Sequence, residues 1–254
     1  MTVISIANQK GGVGKTTTTI ELAKIFTDEG KRVLVVDLDQ QGNLTEYSGI
    51  EEEQNNSIYE VLNADKAIQD VVRKSKIGFS VIPASAKLSK SDRTFVDNED
   101  VYLLDDALKM VEKDFDLVFL DNSPSRNILL TMSYVASDYI LIPTEGDSGS
   151  IKGITAVEAD LKKLRGGRNS LSHARILGLI LTKRENTIVH DVAVETMKEI
   201  AEKDIEGTPF VAYVRKSIIV SEIKAEQISL QQYKRSSVPS RDYQTIAEMI
   251  MERI

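Results

Sequence analysis

The chain has 254 residues, of which 41% are apolar and 28% are charged. This size favours one α/β domain, residues 1–254, over two independently folded halves. It contains no cysteine and two histidines, which excludes disulfides, iron–sulfur ligation and a histidine metal cage. The net charge of −7 argues against a surface that is basic throughout, so any nucleic-acid binding would have to be regional. No run approaches the roughly 20 apolar residues of a membrane span, and the amino terminus does not resemble a leader. We therefore expect a soluble, cytoplasmic protein with no membrane partner.

Short apolar runs predict buried parallel strands. In chain order they are Val3–Ala7, Arg32–Val36, Phe79–Ile82, Leu117–Leu120, Tyr139–Ile142 and Ile176–Leu181. Apolar residues at helical spacing predict helices among these strands. The predicted helices are Thr17–Glu29, Val101–Lys113, Ile151–Leu164, Val189–Lys203 and Tyr243–Ile254. Because parallel strands need crossover connections, the alternation predicts an α/β fold with a doubly wound, mostly parallel sheet flanked by helices on both faces. Ligands of such sheets bind at the carboxyl ends of the strands.

A glycine-rich loop follows the first predicted strand. Residues 10–17 read KGGVGKTT and lead into a predicted helix, which is the setting of a P-loop NTPase. Glycines let the backbone amides turn toward an anion, and the start of the helix adds the positive end of its dipole. Lys15 is expected to reach the β- and γ-phosphates of ATP, and the Thr16 hydroxyl is expected to bind Mg²⁺. The residues predicted to bind the nucleotide in this loop are Gly11, Gly12, Val13, Gly14, Lys15, Thr16 and Thr17.

The loop departs from the strict P-loop pattern at one position and carries an unusual lysine next to it. Gln9 stands where the first glycine would fall, and an additional lysine, Lys10, precedes the glycine pair. On these residues the chain resembles the ParA/MinD family, whose deviant Walker A loop carries a second, signature lysine. The resemblance implies that Lys10 reaches the phosphates bound to a partner subunit in an ATP-dependent homodimer.

Acidic residues end two of the predicted strands. Asp37 and Asp39 follow the second strand, and Asp121 follows Leu117–Leu120. Asp121 is the acid expected of a Walker B element, which would hold Mg²⁺ through water. The family has a matching Asp-x-Asp-x-Gln-Gly-Asn segment, and the resemblance implies that Asp39 is the hydrolytic carboxylate while Asp37 supports the metal or the loop. The predicted catalytic residues are Lys10, Lys15 and Asp39, and the predicted metal-binding residues are Thr16, Asp37 and Asp121.

Later segments match the family less closely. The family usually has two consecutive prolines after the Walker B acid, whereas this chain keeps only Pro124 and adds a cation, Arg126. A contact of Arg126 with phosphate, with a partner or with water alone stays open. The resemblance also implies that Pro143 and Val214 border the nucleotide, with Val214 near the adenine.

Basic residues gather in the second half of the chain and could bind DNA phosphates without reading sequence. The clusters are Lys162, Lys163, Arg165 and Arg168; Lys183 and Arg184; Arg215 and Lys216; and Lys234, Arg235 and Arg241. Most of them are also consistent with an ordinary solvated surface. Arg215 with Lys216 is the first choice for a DNA contact.

The function implied by the resemblance is that of a ParA/Soj-type partition ATPase. Such a protein dimerises on ATP, binds DNA nonspecifically on the nucleoid, and is reset when a ParB-like centromere-binding protein stimulates its slow hydrolysis. The alternative is a MinD-like, membrane-associated positioning ATPase. The apolar carboxyl terminus, Ile246–Ile254, lacks the basic face of membrane-targeting helices, which favours packing against the core. A metabolic ligase or kinase on the same scaffold stays open, although no added substrate motif supports it.

Overall fold

The computed structural model describes residues 1–51, 53–166 and 170–254. Over these residues the chain forms eight strands and twelve α-helices. The strands are β1 (Thr2–Ile6), β2 (Val33–Asp37), β3 (Arg73–Lys74), β4 (Ser80–Ile82), β5 (Leu117–Asp121), β6 (Tyr139–Thr144), β7 (Arg175–Arg184) and β8 (Phe210–Arg215). The helices are α1 (Lys15–Asp28), α2 (Asn43–Tyr47), α3 (Ile58–Leu62), α4 (Ile68–Val71), α5 (Ser91–Thr94), α6 (Leu103–Lys109), α7 (Ile128–Ala136), α8 (Ser148–Arg165), α9 (Ile188–Lys203), α10 (Ile219–Glu226), α11 (Leu230–Lys234) and α12 (Val238–Met251). Short 3₁₀ helices cover Ala86–Lys90 and Asp100–Tyr102.

All the described strands belong to one sheet, in the order β3-β4-β2-β5-β1-β6-β7-β8. Neighbouring strands pair in parallel, apart from the two-residue β3, which runs antiparallel to β4. The chain winds outward from β1 in both directions, which brings the carboxyl ends of β2, β5 and β1 side by side. The prediction of a doubly wound, mostly parallel sheet with helices on both faces is confirmed, and these three ends mark the expected ligand site.

Successive residues of the central strands pack on opposite faces of the sheet. Odd-numbered positions of β2 and β5 join the core beneath α1 and α12, where the ring of Phe119 stacks on Phe26 with centroids 6.0 Å apart. Even-numbered positions join the core on the other face, with α3, α6 and α7. Asp37 and Asp121 continue the odd-numbered set and lie opposite each other in register. The alternation therefore delivers both acids to the α1 face, beside the loop after β1.

Several elements differ from their predicted bounds or were not predicted. Helix α6 is shorter than the predicted Val101–Lys113, since a 3₁₀ turn precedes it. Strand β8 was not predicted, although its sequence FVAYVR begins with five apolar residues; the structure places it at the sheet edge, where the burial of successive residues is uneven. Helix α7 was missed because it is apolar on nearly every side and has no amphipathic period. Helix α12 buries Ile246 and Ile250 against the α1 side of the core.

Among the described residues, no helix combines the length and the apolar character needed to cross a bilayer.

Candidate nucleotide-binding site

The glycine-rich loop joins β1 to α1 and is supported from behind by β7. Gly12 and Gly14 have φ values of 79° and 89°, in the left-handed region that favours glycine. A Cβ on Gly14 would lie 3.3 Å from the Cγ2 of Thr182. The Thr182 hydroxyl contacts the carbonyls of Val13 at 2.9 Å and Thr144 at 3.0 Å. The loop is thus fixed by its glycines and by a threonine that the local motif does not contain.

Lys15 opens α1 and lies inside the loop. Its side chain folds back so that Nζ donates to the carbonyl of Lys10 at 3.1 Å, and the residue is only 8% exposed. Burial lowers the pKa of this lysine, while the nearby charges of Asp121 and Asp39 act in the opposite direction. The ammonium group therefore sits in a poorly solvated position, where an incoming phosphate would be a stronger partner than the carbonyl it now contacts.

Lys10, by contrast, points out of the loop. Its Nζ pairs with Oδ2 of Asp147, the residue that caps the start of α8, at 2.5 Å. This bond holds the pKa of the Asp147 carboxyl well below its usual range. The backbone N–H of Lys10 donates to Asn8, whose amide donates to the carbonyl of Pro143 at 2.8 Å. Pro143 therefore lies behind the loop and supports it through Asn8.

The side chain of Asp121 meets the start of α1. Its Oδ2 accepts from the Thr16 hydroxyl at 2.7 Å and its Oδ1 from the Thr19 hydroxyl at 3.2 Å. The residue is 1% exposed, and burial, followed by the charge of Asp37, raises its pKa to about 7. A hydroxyl oxygen beside a carboxylate is a donor set that suits Mg²⁺, so the predicted pair of Thr16 and Asp121 fits such an ion.

The two aspartates after β2 occupy different surroundings. Asp37 is fully buried and accepts from the N–H and hydroxyl of Thr45, at 2.9 and 2.7 Å, and from the N–H of Asp39 at 3.1 Å. Burial raises the pKa of Asp37 to about 6, against the lowering effect of the bonds from Thr45. Asp39 instead lines the open cleft. Asp37 thus organises the turn between β2 and α2, and Asp39 is the acid presented to a ligand.

A cleft of about 770 Å³ opens at the carboxyl ends of the central strands, a size typical of ligand sites. Its lining includes Gly11, Gly12, Gly14, Lys15, Thr16 and Thr17 of the loop. It also includes Val214, Ile218 and Val220, apolar side chains of the kind that a nucleobase contacts. The cleft therefore joins the predicted phosphate loop to the position proposed for adenine contact.

Lys183 and Lys224 contribute to the site although sequence reasoning did not place them there. Lys183 was grouped with surface bases, yet its Nζ donates to the carbonyl of Gly12 at 2.9 Å and pairs with Glu145. Its position two residues after the predicted strand Ile176–Leu181 was the signal that could have identified it. Lys224 lies over the ring of Tyr47 at 5.3 Å and lines the cleft, and burial and the charge of Lys183 lower its pKa. No local pattern marked it.

The two residues favoured for DNA contact lie at the rim of this cleft and are both paired. Arg215 makes a two-pronged contact with Asp242 on α12, with Nε and Nη2 at 3.0 and 2.5 Å. Lys216 pairs with Glu185. Of the other basic clusters, Lys234, Arg235 and Arg241 are exposed around α11 and the start of α12, and Arg168 lies outside the described residues. A DNA phosphate would therefore compete with Asp242 for Arg215 and with Glu185 for Lys216.

Comparison with known proteins agrees with this geometry. A family model described as an AAA domain matches residues 1–173. This region contains the glycine-rich loop, β1 to β6, and Asp37, Asp39 and Asp121. The chromosome-partitioning protein ParA of Caulobacter vibrioides is 30% identical over 258 residues, which cover 99% of this chain and 94% of that protein. The chromosome-partitioning ATPase Soj of Thermus thermophilus is 29% identical, with 99% and 96% covered. An ATP complex of a McdA variant from Cyanothece superimposes with a TM-score of 0.88 at 22% identity, covering 99% of this chain and 96% of that one.

Proposed function

Because this chain belongs to the ParA family of chromosome-partitioning P-loop ATPases, we propose that it is an ATP-driven partition switch. It binds ATP with Mg²⁺, closes into a homodimer, and holds DNA nonspecifically on the nucleoid in that state. Hydrolysis, stimulated by a ParB-like centromere-binding protein, releases it. The observation that carries the proposal is the pair of lysines on one loop, with Lys15 turned inward and Lys10 turned outward.

The phosphates would be held chiefly by the P-loop. The backbone amides of Gly11, Gly12 and Gly14 would turn toward the phosphates, and the start of α1 favours an anion there. Lys15 would exchange the carbonyl of Lys10 for the β- and γ-phosphates. This exchange replaces a neutral acceptor with a charged one inside a poorly solvated loop, so it is favourable.

The chemical step assigned to the site is in-line attack of water on the γ-phosphorus. Mg²⁺, when bound, neutralises charge on the phosphate oxygens, and the Thr16 hydroxyl together with Asp121, acting through water, would hold it. Asp39 would orient the attacking water, since it lines the cleft near the phosphate loop. Asp37 keeps that acid in place through its bond to the N–H of Asp39.

Lys10 is assigned a role in the partner's site. Its ammonium group contacts Asp147 at the outer side of the loop, and the two side chains are 39% and 47% exposed. An exposed cation on this face can exchange Asp147 for the phosphates of a second copy at little cost, because a half-exposed ion pair contributes only about 0–1 kcal/mol. Closure of the dimer would complete two sites at once.

The proposed DNA contacts are electrostatic and begin with Arg215 and Lys216. Both residues line the mouth of the nucleotide cleft, so nucleotide binding and dimer closure can alter their carboxylate partners. The net charge of −7 means that the protein as a whole repels DNA and that binding depends on a local surface. Such binding falls steeply with salt.

The test is binding to a nonspecific DNA duplex without nucleotide, with ADP and with ATP, at about 50 mM and about 200 mM salt. We expect salt-sensitive binding with ATP alone, lost in Lys10→Ala and Lys15→Ala and weakened at least about tenfold in Arg215→Ala and Lys216→Ala. Lys198→Ala is the matched control, because Lys198 is an exposed lysine paired with Glu195 on α9. DNA binding that is equal in all nucleotide states, or absent in all of them, would contradict the proposal.

The membrane-positioning alternative has less structural support. It would need an apolar helix face available to lipid, and the apolar side of α12 is already packed, with Ile246 and Ile250 at 1% and 0% exposure. A vesicle pelleting assay with anionic lipid, run beside the DNA assay, distinguishes the DNA-partition function from the membrane-positioning function. ATP-dependent pelleting without DNA binding would favour the membrane role.

A further inference from the structure

Three segments that lie far apart in the chain meet at the carboxylate of Asp160 on α8. The side-chain amide of Gln9, at the start of the P-loop, donates to its Oδ2 at 3.0 Å. The guanidinium of Arg126, in the loop after β5, lies 3.1 Å from Oδ1 and 3.0 Å from Oδ2. One side chain on a helix outside the nucleotide cleft therefore ties the phosphate loop to the loop that begins at Asp121.

The Asp160 carboxylate is better shielded from solvent than the acid of an ordinary surface ion pair. Its side chain is 19% exposed, whereas that of Arg126 is 55% exposed. The hydroxyl of Tyr134 is buried nearby and makes no hydrogen bond to any described residue. Burial chiefly, and the charge of Asp160 secondarily, raise the pKa of that hydroxyl. Gln9 and Arg126 are thus the two side chains that hold this shielded carboxylate in the described structure.

The loop after β5 borders two cavities. Asn122 and Pro124 line the nucleotide cleft, while Arg126 and Asn127 line a groove of about 560 Å³ between α7 and α8. At one end the loop is held by β1, since the Asn122 amide donates to the Ser5 hydroxyl at 2.7 Å. At the other end it is held by Arg126 and Asp160. The path of the intervening backbone past the phosphates is set between these two attachments.

We propose that Asp160 is a positioning residue for ATP hydrolysis. It lines the groove between α7 and α8 and not the nucleotide cleft, and it acts by keeping Gln9 and Arg126 in a fixed relation, so that the P-loop and the loop after Asp121 move as one unit. The proposal rests on the ATP hydrolysis within the proposed function and not on DNA binding or on a partner protein. It also gives a role to Arg126, which motif comparison left without one.

The expected effect is on turnover and not on binding. Asp160→Asn keeps the size of the side chain and an acceptor for Gln9 but removes the charge that holds Arg126. We expect kcat to fall about tenfold, since small misplacements of catalytic groups cost this much or more. KM for ATP should stay within about twofold, because neither Lys15 nor Thr16 bonds to this network. Asp160→Glu should restore part of the rate.

Coupling between the two partners provides the sharper test. Arg126→Ala should lower kcat as much as Asp160→Asn does, and the double variant should be no slower than either single variant, because both remove one interaction. Tyr134→Phe is a matched control, since it removes a hydroxyl that makes no hydrogen bond to any described residue. Glu195→Gln, which breaks an exposed ion pair on α9, is a second control. Both controls should turn over like the parent.

The measurement is steady-state ATP hydrolysis by the whole chain, with ATP affinity and the thermal midpoint recorded for each variant. Unchanged kcat in Asp160→Asn, additive losses in the double variant, or losses that follow the thermal midpoint would overturn the positioning role alone. A parent chain that neither binds nor hydrolyses ATP would overturn the proposed function, and this proposal with it.

Discussion

Asp37 and Asp39 are two residues apart, yet they are suited to different tasks. Asp37 has three donors and no exposed surface, so its carboxylate is fully used in holding the turn. Asp39 accepts one hydrogen bond, from the N–H of Gln41 to its Oδ1 at 3.0 Å, and lines the cleft. Of these two acids, Asp39 is therefore the one that we expect beside a water molecule at a bound phosphate.

Substitution at these two positions should therefore separate chemistry from stability. Asp39→Asn should keep ATP affinity within about threefold while single-turnover hydrolysis falls at least about a hundredfold, the scale of a lost catalytic acid or base. Asp37→Asn should instead lower the free energy of unfolding by about 1–3 kcal/mol, because it disturbs a buried, fully bonded group. Equal losses of ATP affinity and hydrolysis in Asp39→Asn would argue against its role at the water.

The local parts of this site could be predicted from the sequence, and the long-range parts could not. The glycines, Lys15, Thr16 and the strand-ending acids belong to short patterns whose spacing is set by the loop itself. Asp147 is 137 residues from Lys10, and Lys183 is 171 residues from Gly12. Such pairs arise from the order of strands in the sheet, which no local pattern encodes. The same limit hid the contacts of Gln9 and Arg126 with Asp160.

Helix α1 is held at its middle by a buried acid. Glu21 has no exposed surface, and its two oxygens accept from the N–H of Leu230 at 3.0 and 3.1 Å, which ties α1 to the start of α11. Burial raises the pKa of Glu21 to about 8, against a usual value of 4.5. The folded protein therefore binds this proton more tightly than the unfolded chain does, so stability is lost as pH rises from about 4.5 to 8.

Glu21→Gln should flatten that dependence. At pH 5 the variant and the parent should unfold at similar urea concentrations, because the parent's carboxyl is then protonated when folded. At pH 9 the variant should be more stable by on the order of 1–3 kcal/mol, since no charge is buried. Glu29→Gln, on the exposed end of α1, is the control and should leave the slope unchanged. A parent whose stability rises steadily from pH 5 to pH 9 would contradict this account.

The contact between β8 and α12 is the second link at the scale of elements. Asp242 is 8% exposed and accepts from the backbone N–H of Arg215 as well as from its guanidinium. Arg215→Ala should lower the free energy of unfolding in urea by about 1 kcal/mol, because it leaves a shielded carboxylate with fewer donors. Lys216→Ala should change stability little, since the Lys216–Glu185 pair is exposed at both ends, 63% and 44%. A stability loss as large in Lys216→Ala would contradict this distinction. A loss of DNA binding in Arg215→Ala is informative only once the loss of folding stability in that variant has been taken into account.

At the scale of the whole molecule, the proposed function pairs an acidic protein with an acidic ligand, DNA. The net charge of −7 would oppose DNA binding by a single copy, and closure of the proposed dimer would place two copies of Arg215 and Lys216 on one particle. Because each phosphate contact releases counterions, doubling the contacts doubles the slope of log affinity against log salt. This is the physical reason why we expect DNA binding to require ATP and both lysines of the loop.

The two edges of the sheet differ in how readily they could pair with a strand of another copy when many copies gather on one surface. At one edge, β3 consists of Arg73 and Lys74 and pairs antiparallel with β4. A short, charged edge strand is a poor template for the addition of another chain. At the other edge, β8 presents six residues with an outward-facing Tyr213. Of the edges that the structure describes, β8 therefore offers the longer template for strand addition, and two like edges that meet form a closed pair. We expect strand pairing between crowded copies to stop at such a pair and not to continue into a β-fibre.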